Sequence, residues 1–274
     1  MSPNFDEDKF VYLLRYLKQN RIDLSKYTKI YLYRWFEKVI NKYNFDNFNN
    51  FFKYIDGNST QFENVVKNIL PPEPELFRDT DLWEYLIINI ITANYNKSEN
   101  YNICFPDFTT GDDFLSLLIL MSEKMIDFQK IGFFASSSVF KSAESWKKKY
   151  SLNHKKFVLS ESNYKTITGQ KDFNKYFSVF NNQYYFDWTK IEDFKIDFID
   201  SDSDELCPDN KYDIIIYRNK LLYFDYKYVE IVLNQLKECL KPGGYFITGI
   251  NDIDCKDYFD IIDDELKIYR HRTN

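Results

Sequence analysis

Glycine is scarce in this chain. Seven glycines in 274 residues are about 2.6%, against the roughly 7% of ordinary globular proteins, so a fold with several glycine-rich loops has few positions to build them from. Only two histidines occur, His154 and His271. No HExxH, GxSxG or Cys–His pairing is present, and hydrolase and metalloprotease readings therefore lack their residues. The four cysteines, Cys104, Cys207, Cys239 and Cys255, show no CxxC spacing and have no histidine pair nearby. With no leader segment recognisable, they are expected as reduced thiols of a cytoplasmic protein that holds no metal. Long apolar runs are missing too: residues 115–121 form the longest candidate, far short of the roughly 18 residues of a membrane span. No membrane insertion is expected. Nor is there a basic surplus, since 36 Lys and Arg stand against 42 Asp and Glu, net −6, which argues against sequence-independent binding to nucleic acid.

What is abundant is aromatic side chain. Tyr, Phe and Trp make up 19% of the residues within a composition that is 44% hydrophobic and 28% charged, which places the chain among soluble globular proteins with a sizeable core. Charge is unevenly spread: residues 1–70 hold 11 basic and 8 acidic side chains, the remainder 25 and 34. A basic small part and an acidic large part point to two modules with different partners.

The periodicity divides the chain in the same place. From Asp6 to Lys67 apolar residues recur at helical spacing (Phe10, Leu13, Leu14, Leu17, then Tyr27, Ile30, Tyr31, Trp35, then Phe45, Phe48, Phe51, Phe52), with Asp6, Ser25, Asp46 and Asn58 where N-caps are wanted. This predicts four short helices, a small all-α domain over 1–70. Pro71-Pro72-Glu73-Pro74 breaks any helix. Over 71–274 strand and helix patterns alternate. Strands are expected at 103–105, 131–135, 156–160, 212–218 and 245–248, and helices at 83–94, 113–125, 140–150 and 228–240. Such alternation implies right-handed βαβ units, a largely parallel α/β sheet and ligands at the carboxyl ends of its strands.

The sharpest segment is Lys211-Tyr-Asp-Ile-Ile-Ile-Tyr-Arg-Asn-Lys-Leu-Leu-Tyr-Phe-Asp225, followed by a helix and then Leu240-Lys-Pro-Gly-Gly-Tyr-Phe-Ile-Thr-Gly249. Any α/β protein can hold a strand–helix–PGG–strand unit. That does not account for Arg218-Asn219 at the strand end or for Tyr223-Phe224-Asp225 beyond it. This pair of segments resembles the chemotaxis protein methyltransferase (CheR) family. In the same order, Glu75-Leu-Phe-Arg-Asp79 resembles that family's TxFFRD motif, and Thr109-Thr-Gly-Asp-Asp-Phe-Leu-Ser116 its glycine loop. Ser160-Glu161-Ser162 stands where the family ends its second sheet strand, Ile22–Tyr27 and Tyr33-Arg34 resemble its receptor-docking helices, and Leu266–Arg270 its closing strand.

The resemblance covers about 10–270. It implies a Rossmann-like sheet of the S-adenosylmethionine-dependent methyltransferase class preceded by a small all-α domain, and an O-methyltransferase that esterifies glutamate side chains of a chemoreceptor or receptor-like signalling protein. S-adenosylmethionine is then the cofactor and S-adenosylhomocysteine its product. Residue by residue, it carries over Arg218 and Tyr223 as catalytic positions, and Arg78, Gly111, Asp112, Glu161, Asp200, Arg218 and Asn219 as cofactor-binding ones. Glu161 replaces an aspartate that binds the ribose hydroxyls, and Asp200 an asparagine near the adenine, with Asp202 as the alternative register. Phe105, Pro106, Asp107 and Phe108 replace small residues before the glycine loop, and Pro72 and Pro74 replace two polar ones. These departures motivate an alternative, a CheR-like binding scaffold without catalysis.

Partner docking is expected on the first module. Arg34, Lys38 and Lys42 recur at i, i+4, i+8, with Lys26 and Lys29 one to two turns earlier, and form a basic face for an acidic helical region of the partner, although a solvated helix face is the ordinary reading of such a run.

Overall fold

The computed structural model describes residues 7–19, 24–43, 48–56, 74–97, 100–137, 140–191, 193–200, 206–207 and 211–272. The cap positions Asp6, Asp46 and Asn58, the expected fourth helix, Pro72 and Asp202 lie outside them.

The chain divides into two compact units, one comprising Met1–Pro72 with Lys220–Glu230, the other Glu73–Asn219 with Ile231–Asn274. Residues 220–230, placed with the larger module by the sequence division at 70/71, thus associate with the helical one. Among its described residues the first unit holds α1 (Glu7–Gln19), α2 (Lys29–Lys42) and α3 (Phe48–Ile55). Their apolar stripes meet around Phe10, Leu13, Leu17, Trp35, Phe36 and Phe51, all buried. The side chain of Thr28 caps α2 by accepting from the Tyr31 N–H at 3.3 Å, the role that the sequence pattern gave to Ser25. The 220–230 segment joins through a bridge between Tyr27 and Phe224 and the Thr28 N–H donated to the Tyr223 carbonyl at 2.8 Å.

The second unit is an α/β sandwich. Helix α4 (Thr80–Tyr85) runs through a π-helical stretch, Leu86–Ile91, into α5 (Thr92–Asn94), and is followed by β1 (Tyr101–Phe105), α6 (Asp112–Glu123), β2 (Ile131–Ser137), α7 (Ala143–Lys149), β3 (Ser151–Asn153) and α8 (His154–Thr168). Then come β4 (Phe177–Phe180), β5 (Gln183–Phe186), β6 (Ile196–Asp200), β7 (Tyr212–Ile216), α9 (Tyr226–Cys239, which belongs to this unit from Ile231 on), β8 (Leu240–Ile247), β9 (Asp260–Asp263) and β10 (Ile268–Arg270). Seven strands form one sheet in the order β6-β2-β1-β7-β8-β10-β9. β6, β2, β1, β7 and β8 pair in parallel, and β10 pairs antiparallel with both β8 and β9. Strands buried on both faces read as continuous apolar runs, as Ile214, Ile215 and Ile216 do. The chain winds outward from β1 to β2 and β6, then returns to β7 and winds the other way, so the switch point lies between the carboxyl ends of β1 and β7.

One expectation fails outright. Residues 156–160 are not a strand but belong to α8, which Asn153 caps by accepting from the Lys156 N–H at 3.0 Å and Gly169 ends at φ +70°. Its stripe of Phe157, Ser160 and Tyr164 recurs at helical spacing and is buried. Also unforeseen is a second, three-stranded antiparallel sheet, β3-β5-β4, whose hairpin turns at Asn181 and Asn182, both in the left-handed region. Among the described residues no helix is long and apolar enough to cross a membrane, and no group of three or more His, Cys, Asp or Glu side chains is placed to hold a metal ion.

Candidate functional site

Arg218 lies two residues beyond β7, at the switch point. Its side chain is 0% exposed, and each terminal nitrogen donates to a carboxylate at 2.6 Å: Nη1 to Asp113 and Nη2 to Asp79. Nη2 also donates to the Arg78 carbonyl at 3.0 Å, and the guanidinium carbon sits 5.2 Å from the Trp83 ring centroid. The two carboxylates keep 17% and 19% of their side-chain surface exposed. Three segments therefore converge on one buried cation: the Arg78-Asp79 strap, the first turn of α6 and the end of β7. Such a pair is held by geometry, because a guanidinium out of water requires its charge to be met in full.

The backbone that delivers these groups is strained. Phe77, Asp79 and Asn219 all adopt left-handed φ, at 58°, 63° and 56°, a region sparsely used by non-glycine residues and concentrated at functional sites. Neighbouring bonds fix each one. Phe77 N–H donates to Ser116 Oγ at 2.9 Å and Leu76 N–H to Ser160 Oγ at 3.0 Å, while Trp83 Nε1 donates to the Arg78 carbonyl at 2.8 Å. On the far side, the buried Asp252 carboxylate accepts from the N–H groups of Asn219 and Gly249 at 2.6 and 2.7 Å. A Cβ at Gly249 would lie 2.4 Å from Asn219 Oδ1, so glycine there admits the amide.

The expected residues fare differently. Arg78 stands in the strap, half-buried, and its side chain makes no ion pair among the described residues, since Asp79 turns to Arg218. Gly111 begins α6 with φ +81°, where a Cβ would meet Phe108 Cζ at 2.4 Å and Trp146 Nε1 at 2.7 Å. Asp112 does not reach Arg218: its carboxylate accepts from Tyr150 Oη at 2.7 Å, Lys156 Nζ at 2.8 Å and the Thr110 hydroxyl. Adjacent positions in a helical turn point about 100° apart, and Asp113 is the one aimed at the arginine. Glu161, in α8 and not at a strand end, binds Lys165 at 2.9 Å and Asn174 at 3.1 Å. The carboxyl end of β2 instead carries buried Ser136 and Ser137, tied to Phe108 through its N–H at 2.7 Å and its carbonyl at 2.7 Å. Asp200 ends β6.

Tyr223 belongs to the helical unit, where its ring meets that of Tyr31 at 4.6 Å between centroids. On α2, Lys29, Arg34, Lys38 and Lys42 are exposed, opposite the buried Leu32, Trp35, Phe36 and Val39. Lys29 is turned about 140° from Arg34 around the helix axis and leaves the stripe. Lys26 is half-buried over the rings of Tyr27 and Phe224, at 5.4 and 5.7 Å.

Residues 171–248 match a family model described as a methyltransferase domain. The α/β unit has a Rossmann-like methyltransferase fold. Solved structures similar to the chain include a S-adenosylmethionine-dependent methyltransferase from Clostridium acetobutylicum ATCC 824, at 16% identity over 62% of this chain and 50% of that one, TM-score 0.29. Mitomycin 7-O-methyltransferase MmcR matches at 10% identity, 82% and 52% coverage and TM-score 0.36, and coclaurine N-methyltransferase bound to N-methylheliamine and SAH at 12%, 96% and 56%, TM-score 0.30. The chain spans about half the length of these structures. No curated protein matches it.

Whether the residues suit a methyl-donor cofactor is tested by the unsatisfied groups. Arg218 Nε and Asn219 Nδ2 are buried donors with no partner among the described residues, at the strand end where the fold class places its ligand. Together with two partly exposed carboxylates they present donors and acceptors side by side, which suits a zwitterionic amino-acid group. At the Gly111 turn the fit differs, because the glycine makes room for Phe108 and Trp146.

Proposed function

We propose that the chain is an S-adenosylmethionine-dependent O-methyltransferase of CheR type that esterifies glutamate side chains in an acidic helical region of a chemoreceptor or receptor-like signalling protein. The observation that carries this reading is Arg218, fully buried at the carboxyl end of β7 and clamped by Asp79 and Asp113, in a sheet whose switch point lies at that spot. When bound, the cofactor supplies an electrophilic sulfonium methyl.

Arg218, Asn219 and the two carboxylates hold and orient the cofactor's amino-acid end. Asp252 holds the left-handed Asn219 in place from behind, and the Trp83 face closes one side of the guanidinium. The acceptor glutamate is ionised at pH 7 and needs no general base, so the residues act by alignment and exclusion of water. None of the residues gathered at the site is a histidine. Exposed Arg34, Lys38 and Lys42 form the docking face for the acidic partner.

A second reading, the non-catalytic scaffold, is favoured by Phe108 and Trp146 packed onto Gly111 and by the fully engaged Asp112. Incubation with methyl-labelled S-adenosylmethionine and a glutamate-rich helical receptor peptide separates the two. Base-labile label on the peptide, absent when its glutamates are replaced by glutamine, is the expected result; no label on any such peptide favours the scaffold.

A further inference from the structure

A cavity of about 180 Å³ lies at the amino-terminal edge of the large sheet, the edge opposite the switch point, between the starts of β1 and β7 and the first half of β8. Its wall carries three cations, Lys97, Lys241 and Arg270, against one carboxylate, Asp213, in a chain of net charge −6. We propose that this cavity binds the phosphate dianion of a small soluble ligand, at a site separate from the one around Arg218.

The cations are held, not merely near one another. Asp213 accepts from Lys241 Nζ at 2.7 Å, and Nζ also donates to the Asn100 carbonyl at 3.0 Å, which leaves one ammonium proton uncommitted among the described residues. Arg270 Nε donates to the Gly243 carbonyl at 3.0 Å, and the guanidinium lies 5.4 Å from the Tyr245 ring centroid. Both terminal nitrogens of Arg270 are without a partner among the described residues, so a planar fork of the geometry that binds oxyanions two-fold remains available. Lys97 spends one proton on Asn94 at 3.2 Å.

Independent of these charges, Tyr101 lines the cavity with a buried hydroxyl that has no partner among the described residues. Burial and Asp213 both raise its pKa, so it stays a neutral donor. Inside β8 the Pro242-Gly243-Gly244 stretch is braced as a wall, Gly243 at φ +77° giving its N–H to the His271 carbonyl at 3.1 Å and the Gly244 carbonyl accepting from the His271 N–H at 2.8 Å. A Cβ on Gly244 would come within 3.0 Å of backbone oxygens. Size sets the ligand class: ordinary ligand pockets run from roughly 300 Å³ upward, and this cavity has room for a head group with a few waters, each about 30 Å³.

The test is calorimetric titration of the full chain with inorganic phosphate and with glycerol 3-phosphate at constant ionic strength, acetate serving as the monoanion control. We expect a dissociation constant of about 1 mM or below, raised about tenfold or more by Arg270→Gln and by Lys97→Met, and unchanged by Lys256→Met, whose side chain pairs with Asp254 and does not line the cavity. Tighter binding of the ester assigns the site to a phosphorylated metabolite; tighter binding of the free ion assigns it to phosphate itself. Lys97 is exposed, so its variant keeps the test valid should Arg270→Gln disturb the β8–β10 pairing. Phosphate binding unaffected by both substitutions, acetate binding as tight as phosphate, or no binding at about 20 mM overturns the proposal.

Discussion

Arg218 and Asp113, 105 residues apart in the chain, meet at 2.6 Å across the switch point of the sheet. The contact locks the end of β7 to the first turn of α6, and Asp79 closes it from the strap. Removal of the arginine strands two partly buried carboxylates. We therefore expect Arg218→Ala to lower stability by about 3 kcal/mol and methyl transfer by about a hundredfold or more. A purely structural arginine would be rescued once its acids are neutralised. Urea unfolding should show recovered stability in Arg218→Ala/Asp79→Asn/Asp113→Asn, with S-adenosylhomocysteine affinity still lost; recovery of both would remove Arg218 from the site.

A second prediction concerns acid stability. Burial alone would raise the Glu123 pKa, but hydrogen bonds from Lys171, Lys175, Tyr176 and Tyr164 outweigh it and hold the carboxyl at about 2, against an ordinary value of 4.5. A depressed folded-state pKa adds stability that is complete above the unfolded value and is lost as pH falls from about 4.5 towards 2. Glu123→Gln should cost about 1–3 kcal/mol at pH 7 and flatten the decline of Tm between pH 5 and pH 2. An unchanged slope would exclude Glu123 as its source.

Gly111 tests the packing of the loop before α6. Gly111→Ala combines a left-handed backbone with a Cβ 2.4 Å from the Phe108 ring, so a loss on the order of 3 kcal/mol is expected. Phe108→Leu should offset part of it, giving a coupling of about 1 kcal/mol or more in a double-mutant cycle. Strict additivity would mean that the strain lies in the backbone alone.

Much of this architecture is legible in the residues. The buried run 214–216 and the helix returning after it fix the centre of the sheet, because such patterns have few other uses; the next strand, expected at 245–248, starts earlier, since Pro242-Gly243-Gly244 lies inside β8 (Leu240–Ile247). The site is less legible. Arg218 is singled out by its place at a strand end, yet its partners Asp79 and Asp113 are set by tertiary pairing that no local pattern encodes, and of the two adjacent acids the family resemblance points to Asp112. Helix α8 is ambiguous in sequence because Phe157, Val158 and Leu159 make a short apolar run that suits either element, although Asn153 and Gly169 at its ends are cap signals. The Asn181-Asn182 turn between two aromatic runs was likewise a hairpin signal.

Docking is tested apart from the site. Arg34→Glu with Lys38→Glu should weaken capture of an acidic helical peptide about tenfold or more at low salt, less at high salt, while S-adenosylhomocysteine affinity stays the same. Equal loss of both would show that α2 supports the fold and nothing more.

The central claim is most directly tested by calorimetric titration of the purified protein with S-adenosylmethionine and S-adenosylhomocysteine. Micromolar binding of both is predicted, abolished by Arg218→Ala; no detectable binding of either up to millimolar concentration would contradict the methyltransferase account and leave the scaffold in its place.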